Sequence, residues 1–457
     1  MLKIEIPYHD DGTHYYEGIR HLKWPVFLDS AFQSEREHSA LARFDIITAN
    51  PFTTIISNDG VISIEGKDAG SSNYKGNPLE LLQLLMEKYK CSDVDLPFVG
   101  GALGYLSYNH GTQSKKINII PSMHFGIYDW AIIVDHHEKK SVIVSPLFQE
   151  QTQQLIDEVQ VSLTNNKKQK KEIFTVESSI TESADLPSYA KQFNAVKDYL
   201  KQGDCYQVNI SKKYEVKVKG DSWNFYKKFR KINQSPFMAY LSFDQFELLS
   251  GSPERFLKST DGFVSTRPIK GTKARGSNQH EDSKALNLLK HSSKDKSENL
   301  MIVDLLRNDL GVNCLSGSVK VDELFTIESY PNVHHLVSSV SGVLKNESNI
   351  FKLFDKAFPG GSITGAPKKR AMEIIDELEE HARDFYCGSV AYFSFNDRLD
   401  SNISIRSIIR KNDALHFYSG GGLTIESNLD DEYAEIEDKV KNIKKTILFF
   451  KENNEAE

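Results

Sequence analysis

Two pairs of acidic residues stand at helical spacing in distant parts of the chain: Asp295 with Glu298, and Glu432 with Glu435, with Lys439 one turn further on. A three-residue step puts both carboxylates of a pair on one helix face. If those faces met, they would form a hard-oxygen site suited to Mg²⁺, which takes one or two carboxylates directly and keeps waters and a substrate oxygen. Taken alone, each pair reads as an ordinary solvated face. A second constellation is RPIKGTKARG at 267–276, with SPERF at 252–256 just upstream. Lys270 lies beside a glycine and among Arg267, Lys273 and Arg275. The plain reading is a basic surface loop. The chemical reading is an amine kept partly neutral by burial and like charges, and so nucleophilic. Glu254 follows a proline at a strand end or turn. It reads either as a salt-bridge partner of Arg255 or a neighbour, or as a general acid in surroundings that disfavour its ionised form.

A third constellation is PGGSITGAPK at 359–368. Its glycines allow close backbone approach, and a helix start behind Pro367 favours a bound anion. It is no nucleotide-binding Walker loop, because GK followed by Ser or Thr is missing. As a generic double-glycine loop it would be a tight turn with a helix cap. Arg406 stands in an alternating run, NISIRSIIR, which predicts a strand with the arginine facing inward, where it would seek a carboxylate. Three glycines at 420–422 directly after a strand suggest close approach to a ligand. A lone histidine such as His335 is more often structural than catalytic.

The elements that must position these groups are mixed. Short strands with turns are predicted through residues 1–175, at 44–48, 61–65, 125–135 and 140–144, with a helix at 78–89. The basic run NNKKQKKE at 165–172 reads as a solvated hairpin or linker, and 173–186 as a loose connection. From about 186 onward, a helix at 187–202 starts at Ser188 and stops at Gly203. Strands follow at 206–210, 237–243 and 247–250, then a long helix from about 283 to 309. Further strands fall at 320–327, 333–343, 388–395, 401–410 and 414–418. The 359–367 loop feeds a helix to about 381, and a last helix spans about 430–451. Strands and helices do not alternate strictly, so the fold class is α+β with large, mostly antiparallel sheets. Two regions result: a β-rich one at 1–175 and one at 186–457 that carries all the constellations.

The 457 residues suffice for a large core. A net charge of −7 argues against a nucleic-acid partner. Cys91, Cys205, Cys314 and Cys387 form no CxxC pair, which argues against a zinc ribbon or disulfide framework and suits a reducing compartment. The N-terminus lacks the apolar run of a signal peptide, and no stretch is long enough for a membrane span. A cytoplasmic enzyme is expected.

In combination the motifs resemble the chorismate-utilizing enzyme family, which includes anthranilate, aminodeoxychorismate, isochorismate and salicylate synthases. SPERF, PIKGTKARG, KDKSENLMIVDLLRNDLG (294–311), PGGSITGAPK and YCGSVAYFSFNDRLDSNISIR (386–406) match in order. RFDI (43–46), GGALGY (100–105) and GIYDWAIIVDH (126–136) resemble the aminodeoxychorismate branch; YLSYNHG after Gly104 departs from it. The resemblance implies a two-sheet sandwich with the site between the sheets. It implies Glu298 and Glu435 as Mg²⁺ ligands, with Asp295 and Glu432 supporting through water. Arg406 and Tyr386, with backbone N–H groups near Gly421, would hold the enolpyruvyl carboxylate of chorismate. Thr364, Gly365 and Lys439 would line the same anionic pocket, with His335, and Thr272 of the PIKGT turn, beside the ring. Relatives that add water at C2 carry a base lysine where this chain has Gln207, and anthranilate synthases usually have PIAGT where it has PIKGT. Lys270 therefore resembles a nucleophile, with Glu254 as its acid, for amination at C4 on the way to p-aminobenzoate and folate. Anthranilate synthase component I is the alternative. No Gly-flanked nucleophilic cysteine motif is seen, so a separate glutamine amidotransferase subunit is the expected ammonia donor. Some relatives bind tryptophan at positions matching 27–30 and 237–239, so the N-terminal region is a candidate regulatory pocket.

Overall fold

The computed structural model describes residues 1–32, 41–66, 70–91, 94–110, 112, 114–165, 172–329, 333–346 and 348–454. Two sheets, antiparallel in every pairing, lie face to face. The first has 13 strands. Its central run is Phe44–Thr48, Val26–Asp29, Phe237–Ser242, Phe246–Ser252, Ser407–Lys411, Ala414–Leu423 and Gln207–Lys219. The second has 12, with Ile269–Ala274 and Val333–Val343 at one end. It continues through Phe263–Thr266, Arg255–Thr260, Leu399–Asn402, Ser389–Ser394, Gly101–Leu106 and Met123–Tyr128.

Alternate residues of a strand point to opposite faces, and here both faces of the first sheet are covered. Val26, Ile46, Ile133, Leu248, Ile409 and Tyr418 enter the core between the sheets. Their neighbours Phe27, Ile47, Ile132, Leu249, Ile408 and Phe417 pack beneath the outer helices. This is why AIIVD and similar segments read as apolar runs rather than alternations. Each such aliphatic or Phe side chain contributes about 1.5–3 kcal/mol on full burial. The α+β sandwich expected from sequence is the fold observed.

Strands from 1–175 and from 186–457 share both sheets. Val26–Asp29 pairs with Phe237–Ser242, and Gly101–Leu106 with Ser389–Ser394. The two regions are thus contributors to one architecture. The segments 27–30 and 237–239 lie side by side, and Asp29 there accepts hydrogen bonds from Arg230 and Tyr226.

Several elements differ from expectation. The stretch 125–135 is two strands, Met123–Tyr128 and Ala131–Asp135. The helix Thr152–Asn165 was not expected; its Thr152 hydroxyl donates to buried Asp129, a long-range contact. The 165–172 reading falls mostly on 166–171, outside the described residues. Helix Leu186–Gln202 starts at Asp185, whose carboxylate caps Ser188 N–H, so Ser188 lies inside it. The long helix at 283–309 is two, Gln279–His291 and Ser293–Asn313, divided at Ser292, which caps the second. The last helix is also two, Leu429–Lys439 and Lys441–Asn454. Among the described residues no helix is long and apolar enough to cross a membrane.

Candidate functional site

The chain passes between the sheets twice at one place. Phe246–Ser252 belongs to the first sheet and Arg255–Thr260 to the second, with Glu254 at the crossing. Leu399–Asn402 belongs to the second and Ser407–Lys411 to the first, with Arg406 at the end of that crossing. The two crossings are tied together: Ile403 N–H donates to the Glu254 carbonyl at 3.0 Å, and Gly251 N–H to the Arg406 carbonyl at 3.1 Å. The continuous strand expected at 401–410 is therefore broken. Arg406 has φ of 52°, a left-handed conformation unusual for a side-chain-bearing residue. Burial pushes its pKa down, with Glu254 acting against that shift. Among the described residues it makes no ion pair.

Glu254 is 5% exposed. Burial raises its pKa, against the opposing pull of Lys270 and of the Ser362 hydroxyl, which donates to Oε1 at 3.1 Å. Lys270 Nζ donates to the Ser362 carbonyl at 2.9 Å. One residue of the PGGSITGAPK loop thus touches both candidate catalytic groups, and sequence reasoning overlooked it. The loop's small residue types were its only signal.

The strand Ile269–Ala274 shifts register against Val333–Val343 between Ile269 and Thr272. Such a bulge re-aims a side chain. Gly271 within it has φ of 77°, and a Cβ there would lie 2.8 Å from both Asp295 Cγ and Leu289 Cδ1. The basic cluster expected around Lys270 does not form. Arg267 pairs with Glu323 and Glu328, and Arg275 with Asp282. The charges that act with Lys270 are instead carboxylates: Glu254, Glu298 and Glu435. Thr272 Oγ1 meets His335 Nδ1 at 2.8 Å. His335 is buried, which lowers its pKa to about 3, with Arg406 and His334 adding to the shift.

The helices Ser293–Asn313 and Leu429–Lys439 do face each other. Lys294 Nζ donates to Glu432 Oε1 at 3.0 Å, and Ser427 Oγ donates to the same oxygen at 2.7 Å. Burial raises the pKa of Glu298, with Glu432 and Glu435 adding and Lys270 and Lys294 opposing. Its Oε1 is buried and has no hydrogen-bond partner among the described residues. Glu435 pairs with Lys439 at 2.8 Å and is held below the usual carboxylate range by it. The Asp295 carboxyl lies beneath the Gly271 bulge. Among the described residues no three His, Cys, Asp or Glu side chains converge as a metal cage. Magnesium does not require one. An orphaned buried carboxylate oxygen, with further hard-oxygen donors across a short gap, fits an ion that binds through one or two carboxylates and waters.

The remaining predicted residues divide. Tyr386 is buried and stacked on Tyr418, and its hydroxyl lies 2.9 Å from where a Cβ of Gly420 would stand. A Cβ on Gly421 would lie 3.1 Å from Glu432 Oε2, so the glycine strand runs along the acid helix. Lys439 donates to the Gly420 carbonyl at 2.9 Å. Thr364 and Gly365 serve the scaffold. The Thr364 hydroxyl donates to the Gly360 carbonyl at 3.1 Å, closing its own loop. A Cβ on Gly365 would lie 2.1 Å from the Gln207 carbonyl, so the close approach is to a neighbouring strand. Gln207 is buried with neither amide atom partnered, and a Cβ on Gly422 would lie 2.1 Å from its Nε2.

The face-to-face sheets match a fold already known among solved structures. The chain belongs to the chorismate binding enzyme family, which matches residues 30–445. It is 38% identical over 450 residues to aminodeoxychorismate synthase component 1 of Escherichia coli, covering 96% of each chain. It is 36% identical over 378 residues to anthranilate synthase component 1 of Saccharolobus solfataricus, covering 81% of this chain and 86% of that one. The crystal structure of anthranilate synthase component I from Streptococcus pneumoniae superposes with a TM-score of 0.77 at 28% identity, covering 89% of this chain and 93% of that one.

Proposed function

We propose that the chain is the chorismate-aminating component of an aminodeoxychorismate synthase, replacing the C4 hydroxyl of chorismate with ammonia supplied by a glutamine amidotransferase subunit. The observation that carries this reading is Lys270. A bulge and the Ser362 carbonyl aim its amine into the space between the sheets, toward Glu254. Full-length similarity to the E. coli relative supports the same branch.

Chorismate is a dianion. Its enolpyruvyl carboxylate is matched by Arg406, which makes no ion pair among the described residues, helped by Tyr386 and the glycine strand. Glu298 and Glu435, with Asp295 and Glu432 through water, would hold Mg²⁺, which when bound supplies positive charge for the ring carboxylate. Moving one proton from the Lys270 amine to Glu254 creates a nucleophile and an acid together. The Lys270 amine then bonds to C2, both conjugated ring double bonds shift toward C4, and the C4 hydroxyl leaves as water with the Glu254 proton. Ammonia next bonds to C4, both double bonds shift back, and the C2–nitrogen bond to Lys270 breaks. One hard substitution becomes two easier ones.

Incubation of the protein with chorismate and Mg²⁺, without ammonia, should place a mass adduct on the Lys270 peptide. An adduct only on other peptides, with amination intact in Lys270→Ala, removes the nucleophile role. The anthranilate reading has its own support in the S. solfataricus relative. Product analysis with ammonium separates the two: anthranilate fluoresces directly, whereas aminodeoxychorismate yields p-aminobenzoate only after a lyase is added.

A further inference from the structure

Lys294 stands in the first turn of the helix Ser293–Asn313. A cation there opposes the positive end of the helix dipole, so the helix does not explain its placement. Its amine instead reaches across to Glu432, and the two partners are unlike. The Glu432 side chain is 3% exposed and fixed by Ser427; the Lys294 side chain is 40% exposed. Lys294 also lines an open groove of about 950 Å³ together with Lys273, Lys284 and Asp295, so its side chain has room to swing out. In the structure, then, buried Glu432 is paired with a partly exposed side chain on the groove wall.

We propose that Lys294 is a built-in counter-cation of the acid cluster, competing with a divalent cation for Glu432. The inference rests on the metal reading of that cluster. An ammonium at 3.0 Å from Glu432 and a dication served by the same carboxylates repel each other. Lys294 therefore weakens loading for as long as it holds Glu432, and on swinging out it stands in the groove with Lys273 and Lys284. The device keeps a buried Glu432 paired while the cluster is empty, at the expense of weaker cation binding.

The test is calorimetric titration of the full chain with Mg²⁺ alone, without substrate, for the wild type, Lys294→Met, Lys294→Gln and Lys284→Met. Removing the competing amine should tighten Mg²⁺ binding about threefold to tenfold in both Lys294 variants. It should also lower the metal-free Tm while saturating Mg²⁺ restores it to the wild-type value. The Gln variant keeps a donor for Glu432 and guards against a Met variant that fails to fold. Lys284→Met lines the groove outside the cluster and should leave affinity unchanged. Equal or weaker binding in the Lys294 variants, or the same gain in Lys284→Met, overturns the competition while leaving the metal reading intact. No saturable Mg²⁺ binding by any of the proteins overturns both.

Discussion

Arg383 and Arg406 both carry a guanidinium into the interior, and their surroundings are opposite. Arg383 donates to both oxygens of Glu379, at 2.9 and 2.6 Å, and to the carbonyls of Ile363 and Asn209. Its pKa is raised, because Glu379 and its other partners outweigh burial. Glu379 is held below the usual carboxylate range, because Arg383, His381 and Ser211 outweigh burial. Arg406 is pushed down by burial, with only Glu254 opposing. Glu254 is itself pushed up by burial. One cluster is closed: its charges satisfy one another and fasten the Ile363 loop to the Asn209 strand. The other is open: its charges are present without partners enough to satisfy them. Buried charge left open costs stability, and it is kept where a charged ligand completes the set.

The sharpest way to break this contrast is catalytic. Lys270→Ala should cut ammonia-dependent chorismate amination by about a thousandfold or more, with an unchanged circular dichroism spectrum. A rate within tenfold of wild type would make Lys270 one more paired lysine. Next comes urea unfolding of Arg383→Met beside Arg406→Met. Removing one partner of the closed pair should cost about 3–5 kcal/mol. Removing Arg406 should cost less than about 1 kcal/mol and raise the KM for chorismate. Equal losses from the two would erase the distinction between scaffold and site.

Gly271→Ala tests the bulge that aims Lys270. The positive φ and the two 2.8 Å approaches predict a loss of about 1–3 kcal/mol, with a larger proportional fall in kcat than in KM. Full activity in a stable Ala variant would detach the bulge from the chemistry. The smallest expected effect is one of sign. Glu254 has its pKa raised by folding, so its contribution to stability falls as pH rises from the unfolded value, 4.5, through the folded one. Glu379 is lowered by folding, so its contribution is present above 4.5 and is lost as pH falls through the folded value. At pH 7, Glu254→Gln should therefore raise Tm by roughly 1–3 °C, whereas Glu379→Gln lowers it. A drop in both would show that Glu254 is as satisfied as Glu379.

Much of this site is legible in the chain because its motifs are local strings. PIKGT and SPERF single out Lys270 and Glu254 as candidates, whose roles only the family resemblance implies, and the acid pairs follow from helical spacing. Ser362 was missed because a serine between glycines carries no signal until its hydroxyl and its carbonyl are seen to reach Glu254 and Lys270. Arg406 was placed on an inward strand face because NISIRSIIR alternates. Alternation reports which side a residue points to within one sheet and cannot report that the chain leaves that sheet for the other. The helix break at Ser292 is hidden for a related reason: residues 290–299 hold no apolar side chain, so periodicity says nothing there, and the capping serine is a single residue.

The residue types, the spacing of the acids, the glycines of the 359–368 loop and the α+β class were determined by the sequence alone, because each rests on contacts within a few residues. Only the tertiary structure decided that the two acid helices face each other, that Lys294 joins them, that the basic neighbours of Lys270 turn away to their own carboxylates, and that Glu254 and Arg406 sit on two crossings between sheets. Those are meetings of residues up to 152 positions apart, as between Glu254 and Arg406. Local propensity is silent about such meetings, which arise when two twisted sheets bury their facing side chains.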